Sequence, residues 1–196
     1  YTGDTRITDG TSSVSGSLAS GTDVIVGGNG TYNVAATDAV NSISGAGNIV
    51  LASSQTLTSG STTNTIFSGI LSGSGAFAKA GTGTLILTGA NTFTGSLNIT
   101  AGTLTIGGAG SLGANNSNSY SGTIAISANS FLNYTSTTTP QSLTGSKLLG
   151  LPLFGGGTAG AIKAGSARHT VSSAGRTTTI TYTCLLYTSP SPRDTR

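Results

Sequence analysis

Between residues 81 and 113 the chain reads GTGTLILTGANTFTGSLNITAGTLTIGGAGSLG, an uncharged run of short apolar alternations broken by Gly, Asn and Thr. Leu85 and Leu87 sit two apart, as do Leu97 with Ile99 and Leu104 with Ile106, which is the period of a strand that buries one face. Thr84, Thr88, Asn98, Thr103 and Thr105 then point the other way. Gly89-Ala90-Asn91, Thr94-Gly95 and Ala101-Gly102 separate these segments, and such residues bend a chain by accepting positive φ or by bonding their own backbone. No window between the breakers is long enough for a helix, so the stretch predicts short strands joined by tight corners.

These strands recur. The triplets Gly83-Thr84-Leu85, Gly102-Thr103-Leu104 and Gly122-Thr123-Ile124 begin 19 and then 20 residues apart, and ISGAGNIVL at 43–51 echoes LSGSGAFAK at 71–79. A period near twenty with strand-sized units is the mark of a solenoid, whose units cannot bury their apolar faces alone and must stack on neighbours. Weaker copies run through residues 1–50, where Val24-Ile25-Val26, Tyr32-Asn33-Val34 and Ile49-Val50-Leu51 alternate with Gly-rich turns.

Composition fits stacking. Charged residues make up 7% of the chain and Glu, Met and Trp are absent, whereas roughly a quarter of an ordinary domain is charged. Between 39 and 146 Lys79 is the only charged side chain. Residues 1–146 carry a net −2, and residues 147–196 a net +5. A nucleic-acid partner is not expected, because the repeated body has no basic face with which to replace phosphate counterions.

Over 65–95 the sequence resembles the autotransporter-associated β-strand repeat found in passenger domains of type V secretion. The resemblance is carried by Phe67, Gly69, Ile70, Gly73, Gly75, Phe77, Lys79, Gly81, Gly83, Thr84, Leu85, Leu87, Gly89, Asn91, Thr92, Phe93, Thr94 and Gly95, and LNITAGTLTIG at 97–107 continues it. It is closest over 65–113 and looser over 40–64 and 114–146. It implies an all-β fold, a right-handed parallel β-helix, and an outer-membrane β-barrel beyond the C-terminal end of this sequence. Coils stacked at the strand spacing of roughly 4.8 Å would give about seven coils of some 20 to 25 residues, a rod of about 35 Å. Asn91 would then bond the backbone or an Asn of the next coil, and charges would be excluded because like charges in register repel.

Chemistry is sparse. GGNGTYNV at 27–34 is similar to the start of calcium-binding nonapeptides but has Tyr32 where an Asp is needed, so it reads as a turn. GGAG at 107–110 has no βαβ context and also reads as a turn. Asp4, Asp9, Asp23 and Asp38 face no partner base, and His169, the single histidine, has no orienting carboxylate. No catalytic, cofactor or metal residues are expected.

Three functional classes follow. The first is a structural and adhesive stalk displayed outside a Gram-negative cell, with a host-cell, glycan or self-association partner. The second is direct binding of glycan, or of ice, by a neutral Thr-rich face made of Thr92, Thr94, Thr103 and Thr105. The third is a non-catalytic part of a β-helical polysaccharide-cleaving enzyme.

The chain opens on Tyr1 with no basic and apolar leader after it, and is expected to be a piece of a longer protein. Residues 1–146 read as the solenoid. The segment 113–122, GANNSNSYSG, reads as a loop leaving the rod, and 147–183 as a degenerate coil or uncertain sequence. The tail 184–196, CLLYTSPSPRDTR, resembles translated adapter sequence, with a polar cap as the alternative.

Overall fold

The computed structural model describes residues 3–113 and 119–136 in full, and beyond them the backbone of strands Leu148–Leu149, Ala161–Ala164, Thr170–Ala174 and Thr177–Tyr182. The described residues form strands, corners and turns with no helix, stacked as a parallel β-solenoid of about five turns. The tail 184–196 and most of 147–183 lie outside the described residues.

Each coil contributes to three parallel ladders. The first joins Ser42–Gly45, Thr65–Phe67, Thr84–Leu87, Thr103–Ile106, Phe131–Tyr134 and Ala161–Ala164. The second joins Asn48–Leu51 to Ile70–Gly73, and Ala90–Asn91 to Ser111–Leu112. The third runs from Asp38–Val40 through Thr56–Ser59, Ala76–Lys79 and Leu97–Ile99 to Ile124–Ile126 and Leu148–Leu149. The long strand Asp23–Val34 turns between faces one and two, pairing with Ser42–Gly45 in its first half and Asn48–Leu51 in its second. Thr5–Val14 follows it along both halves.

The period-two alternation is realised as inward apolar columns. Leu85 lies over Thr65 and under Leu104, and Leu87 over Phe67 and under Ile106. Leu85, Leu87, Leu104 and Ile106 are all fully buried, in a single core that runs from Ile7 to Tyr134. At the corner between faces two and three an aromatic column reinforces it. Phe93 meets Phe77 edge-on at 6.5 Å and Tyr120 at 5.4 Å, separations at which aromatic pairs add stabilisation beyond area burial.

Register corrects two sequence-based alignments. Leu85 does pair with Leu104, 19 residues on, but Ile124 pairs with Leu97 on face three, and it is Leu132 that continues the Leu85 and Leu104 column. Gly122-Thr123-Ile124 therefore matches Gly95-Ser96-Leu97. The echo between 43–51 and 71–79 is likewise one face out of step: Gly45 turns the chain from face one to two and Gly73 from two to three, with φ of 104° and 97°. Ser-Gly-x-Gly is thus a corner signature, usable at either corner because both need a residue without Cβ in the left-handed region. Beyond 106 the coil lengthens, since Leu97 to Ile124 spans 27 residues where Phe77 to Leu97 spans 20. The register shifts between Leu112 and Ile124; of the segment expected as a loop, 114–118 lies outside the described residues, and Tyr120 is buried in the core.

Past Ala161–Ala164 the parallel pattern stops, and Thr170–Ala174 pairs antiparallel with Thr177–Tyr182. Ala161–Ala164 itself continues face one, in register with Phe131–Tyr134.

Glycine is selected at the corners by close backbone approach. Gly47, Gly69 and Gly89 stack in one column, and a methyl group on Gly89 would overlap the carbonyl oxygen of Gly69, as one on Gly69 would overlap that of Gly47. Backbone on both sides cannot yield as a side chain can. Gly89→Ala is expected to cost about 2 kcal/mol or more, the upper range for overpacking, read as a lower urea midpoint, whereas Gly28→Ala, with open space around it, should stay within about 0.5 kcal/mol.

Candidate functional site

Most of the residues that carry the repeat resemblance lie inside the rod or at its corners, while Ile70 is exposed on face two. Leu85, Leu87 and Phe93 are core. Gly89 sits at the corner between faces one and two, Gly95 at that between two and three, and Gly81 and Gly83 at that between three and one, each against the backbone of the preceding coil. Thr84 opens a face-one strand, and its N–H donates to Asn64 Oδ1 at 2.8 Å.

Asn91 is fully buried and joins three coils. Its Oδ1 accepts from the Leu71 N–H at 3.0 Å, and its Nδ2 donates to the carbonyls of Gly89 at 2.8 Å and Ser111 at 3.1 Å. It bonds backbone above and below rather than another Asn. Every polar valence of the side chain except one lone pair is thereby used at a corner where strand pairing lapses. Replacing Asn91 by Ala strands the Leu71 N–H, a loss of about 1–3 kcal/mol that denaturant unfolding would record.

Lys79 is 1% exposed. It sits in the interior column Val40, Ser59, Lys79, Ile99 and Ile126. Its Nζ donates to the Gly81 carbonyl, and Ser59, its in-register neighbour, is the one small residue in that column and leaves room for the long side chain. Ser59 Oγ makes no hydrogen bond. Burial pushes the amine below the ordinary lysine value of 10.5.

A folded-state value below the unfolded one means that the folded chain binds fewer protons, so stability rises as pH climbs from the folded value toward 10.5. The buried phenols of Tyr32, Tyr120 and Tyr134, pushed up from 10.0 by burial, act oppositely above that value, as only the unfolded chain ionises there. Lys79→Met is therefore expected to stabilise the chain by about 1–2 kcal/mol near pH 7, with the gap narrowing as pH rises toward 10.5, in paired urea titrations. A gap independent of pH would mean that the amine stays protonated in the folded chain as it does in the unfolded one, its value not lowered by burial.

Carboxylates are committed to structure. Asp38, on face three, is buried and accepts from the N–H groups of Leu18 and Ala39 at 2.9 Å each and from the Tyr32 hydroxyl. Tyr32, which breaks the calcium-type motif, is thus the partner of an interior carboxylate, a pair that no spacing in the sequence signals. Asp23 accepts from Asn41 Nδ2 and Ser42 Oγ, both at 2.7 Å. Asp9 is exposed and bonds the Gly10 N–H at 2.8 Å. Among the described residues no three His, Cys, Asp or Glu side chains come together. His169 lies outside the described residues.

The four threonines do not share one face. Thr103 and Thr105 lie on face one, while Thr92 and Thr94 lie in the turn between faces two and three. Thr105 is stacked between Ile86 and Asn133 and is itself buried, and Thr103 between Thr84 and Phe131, so the Thr rank is broken in both columns.

Comparison with known proteins agrees with this architecture. Residues 77–106, covering parts of two successive coils, match the family model described as Passenger-associated-transport-repeat. A segment of 51 residues, 26% of the chain, is 51% identical to "Adhesin BmaC autotransporter" of Brucella suis biovar 1 (strain 1330), and the match spans 2% of the length of that relative. No solved structure gives a significant match. The solenoid is thus similar, over its most regular coils, to an autotransporter passenger repeat.

Proposed function

We propose that this chain is part of the stalk of an adhesive autotransporter passenger, displayed outside a Gram-negative cell through an outer-membrane β-barrel encoded further along the protein. The observation that carries the reading is that the matched repeat residues serve the stacking of coils: Leu85, Leu87 and Phe93 fill the core, Gly81, Gly83, Gly89 and Gly95 form corners, and Asn91 joins coils. Each coil adds length without needing a new core, which suits a spacer that holds a contact surface away from a membrane. Similarity to an adhesin autotransporter supports the same role.

Catalysis has less support. Buried Asp38 and half-buried Asp23 are occupied by structural hydrogen bonds, and a glycosidase needs two carboxylates facing one bond. The separation of Thr92 and Thr94 from Thr103 and Thr105 similarly weakens a flat Thr face for glycan or ice. A host-cell, glycan or self-association partner remains the class of target.

The test fuses the chain to an outer-membrane β-barrel in a non-adherent Gram-negative host. Protease accessibility on intact cells and a gain in attachment to epithelial or sibling cells are the expected results. Surface exposure without any gain in attachment, or release of reducing ends or unsaturated products from neutral or acidic polysaccharides by the purified chain, would overturn the reading.

A further inference from the structure

The interior position of Lys79 changes the character of the surface. As Lys79 is the only acidic or basic residue between 39 and 146 and is buried, the described exterior from 39 onward to 136 bears no formal charge. A ligand held there is recognised by neutral hydrogen bonds and shape, without ion pairs.

One concavity on this surface has matching chemistry. Where face two turns into face three, residues of three successive coils, at 53–56, 74–76 and 95–96, line an open groove of about 340 Å³, within the ~300–1,000 Å³ of small-molecule sites. Its floor includes Gly75 and Gly95, where stacked backbone leaves no room for a side chain. Its walls include Ser53, Ser54, Gln55 and Ser96. The hydroxyls of Ser53, Ser54 and Ser96 make no hydrogen bond within the protein, among the described residues. Gln55 Oε1 accepts from the Thr37 hydroxyl at 3.1 Å, which orients the amide and leaves Nε2 to donate. Ser54 holds φ at 64°, a left-handed conformation uncommon for a residue with a Cβ, and residues so held cluster at ligand clamps.

We propose that this groove binds a neutral, polyhydroxylated ligand, an uncharged oligosaccharide of two or three sugar units. The proposal deepens the adhesive reading and rests on it for its biological setting. Hydroxyl and amide groups on three successive coils supply donors and acceptors spaced along the rod axis, and an extended sugar chain presents its own hydroxyls in the same way. No aromatic side chain lines the groove, so a single site is weak, with Kd on the order of 1 mM, and attachment through it relies on many displayed copies.

Saturation-transfer NMR on the whole 196-residue chain provides the test, with cellobiose, maltose, lactose and chitobiose as neutral probes and a sulfated heparin disaccharide as the anionic one. The expected result is transfer to at least one neutral disaccharide that persists at about 1 M salt, because no ion pair is there to be screened. Gln55→Ala and Ser74→Trp, both on the groove, should weaken binding by about tenfold or more, while Thr103→Val on face one should not. Unchanged far-UV dichroism of each variant establishes that it folds. Absence of transfer to all four neutral sugars, binding of the sulfated sugar alone, or equal binding by wild type and folded groove variants would each overturn the proposal. Cell attachment is scored separately with displayed Ser74→Trp: attachment retained when sugar binding is lost refutes the groove as the contact and leaves the stalk standing. Sugar binding without attachment by the parent chain refutes the stalk reading and leaves the groove.

Discussion

Direct stacking of one coil on the next governs this molecule. In a compact domain a residue's neighbours come from many parts of the chain, but here they lie about one coil away, as Leu85 lies between Thr65 and Leu104. Backbone pairing along three faces satisfies the strands, and the core is a set of columns rather than a globule. Corners must then stack as well, and the backbone approach there is close enough that Gly47, Gly69 and Gly89 have no substitute. High glycine and low charge are two consequences of one geometry, since a side chain at such a corner and a charge repeated in register would each be penalised at every coil.

Interior polar groups show how the stacking is made specific. Asn91 replaces missing ladder bonds by spanning the backbone of the coils on either side of its own. Asp38 collects two N–H groups and a phenol, and so fastens the loop at Leu18 and Tyr32 to the start of face three. Lys79 is different, for it finds one carbonyl at its own corner and room only above Ser59. A buried amine so poorly matched costs stability against an apolar residue of the same size.

Inside and outside are therefore given to separate tasks. The columns and corners hold most of the residues that match the passenger repeat, while the described exterior from 39 to 136 bears no formal charge. Exposed Ile66 and Ile70 flank the corner at Gly69, and the hydroxyl-lined groove lies at the corner between faces two and three. Length in such a rod is set by the number of coils, and affinity by what each coil presents.

Fold class, strands and inward residues are legible in the sequence, because period-two alternation and breakers at twenty-residue intervals are local signals that only stacking can satisfy. Leu85, Leu87, Leu104 and Ile106 were legible as core for that reason. Face assignment was not legible, as Gly-Thr-apolar and Ser-Gly-x-Gly serve at more than one corner, and only pairing puts Ile124 over Leu97 instead of Leu104. The scattering of Thr92, Thr94, Thr103 and Thr105 follows from the same ambiguity. Tertiary structure alone decided that Lys79 is inside, that Tyr32 meets Asp38 and that Gln55 overlooks a glycine floor, since each depends on side chains from separate strands or coils meeting across a corner. Periodicity reports which way a residue points within its strand, and says nothing of what the neighbouring coil places against it.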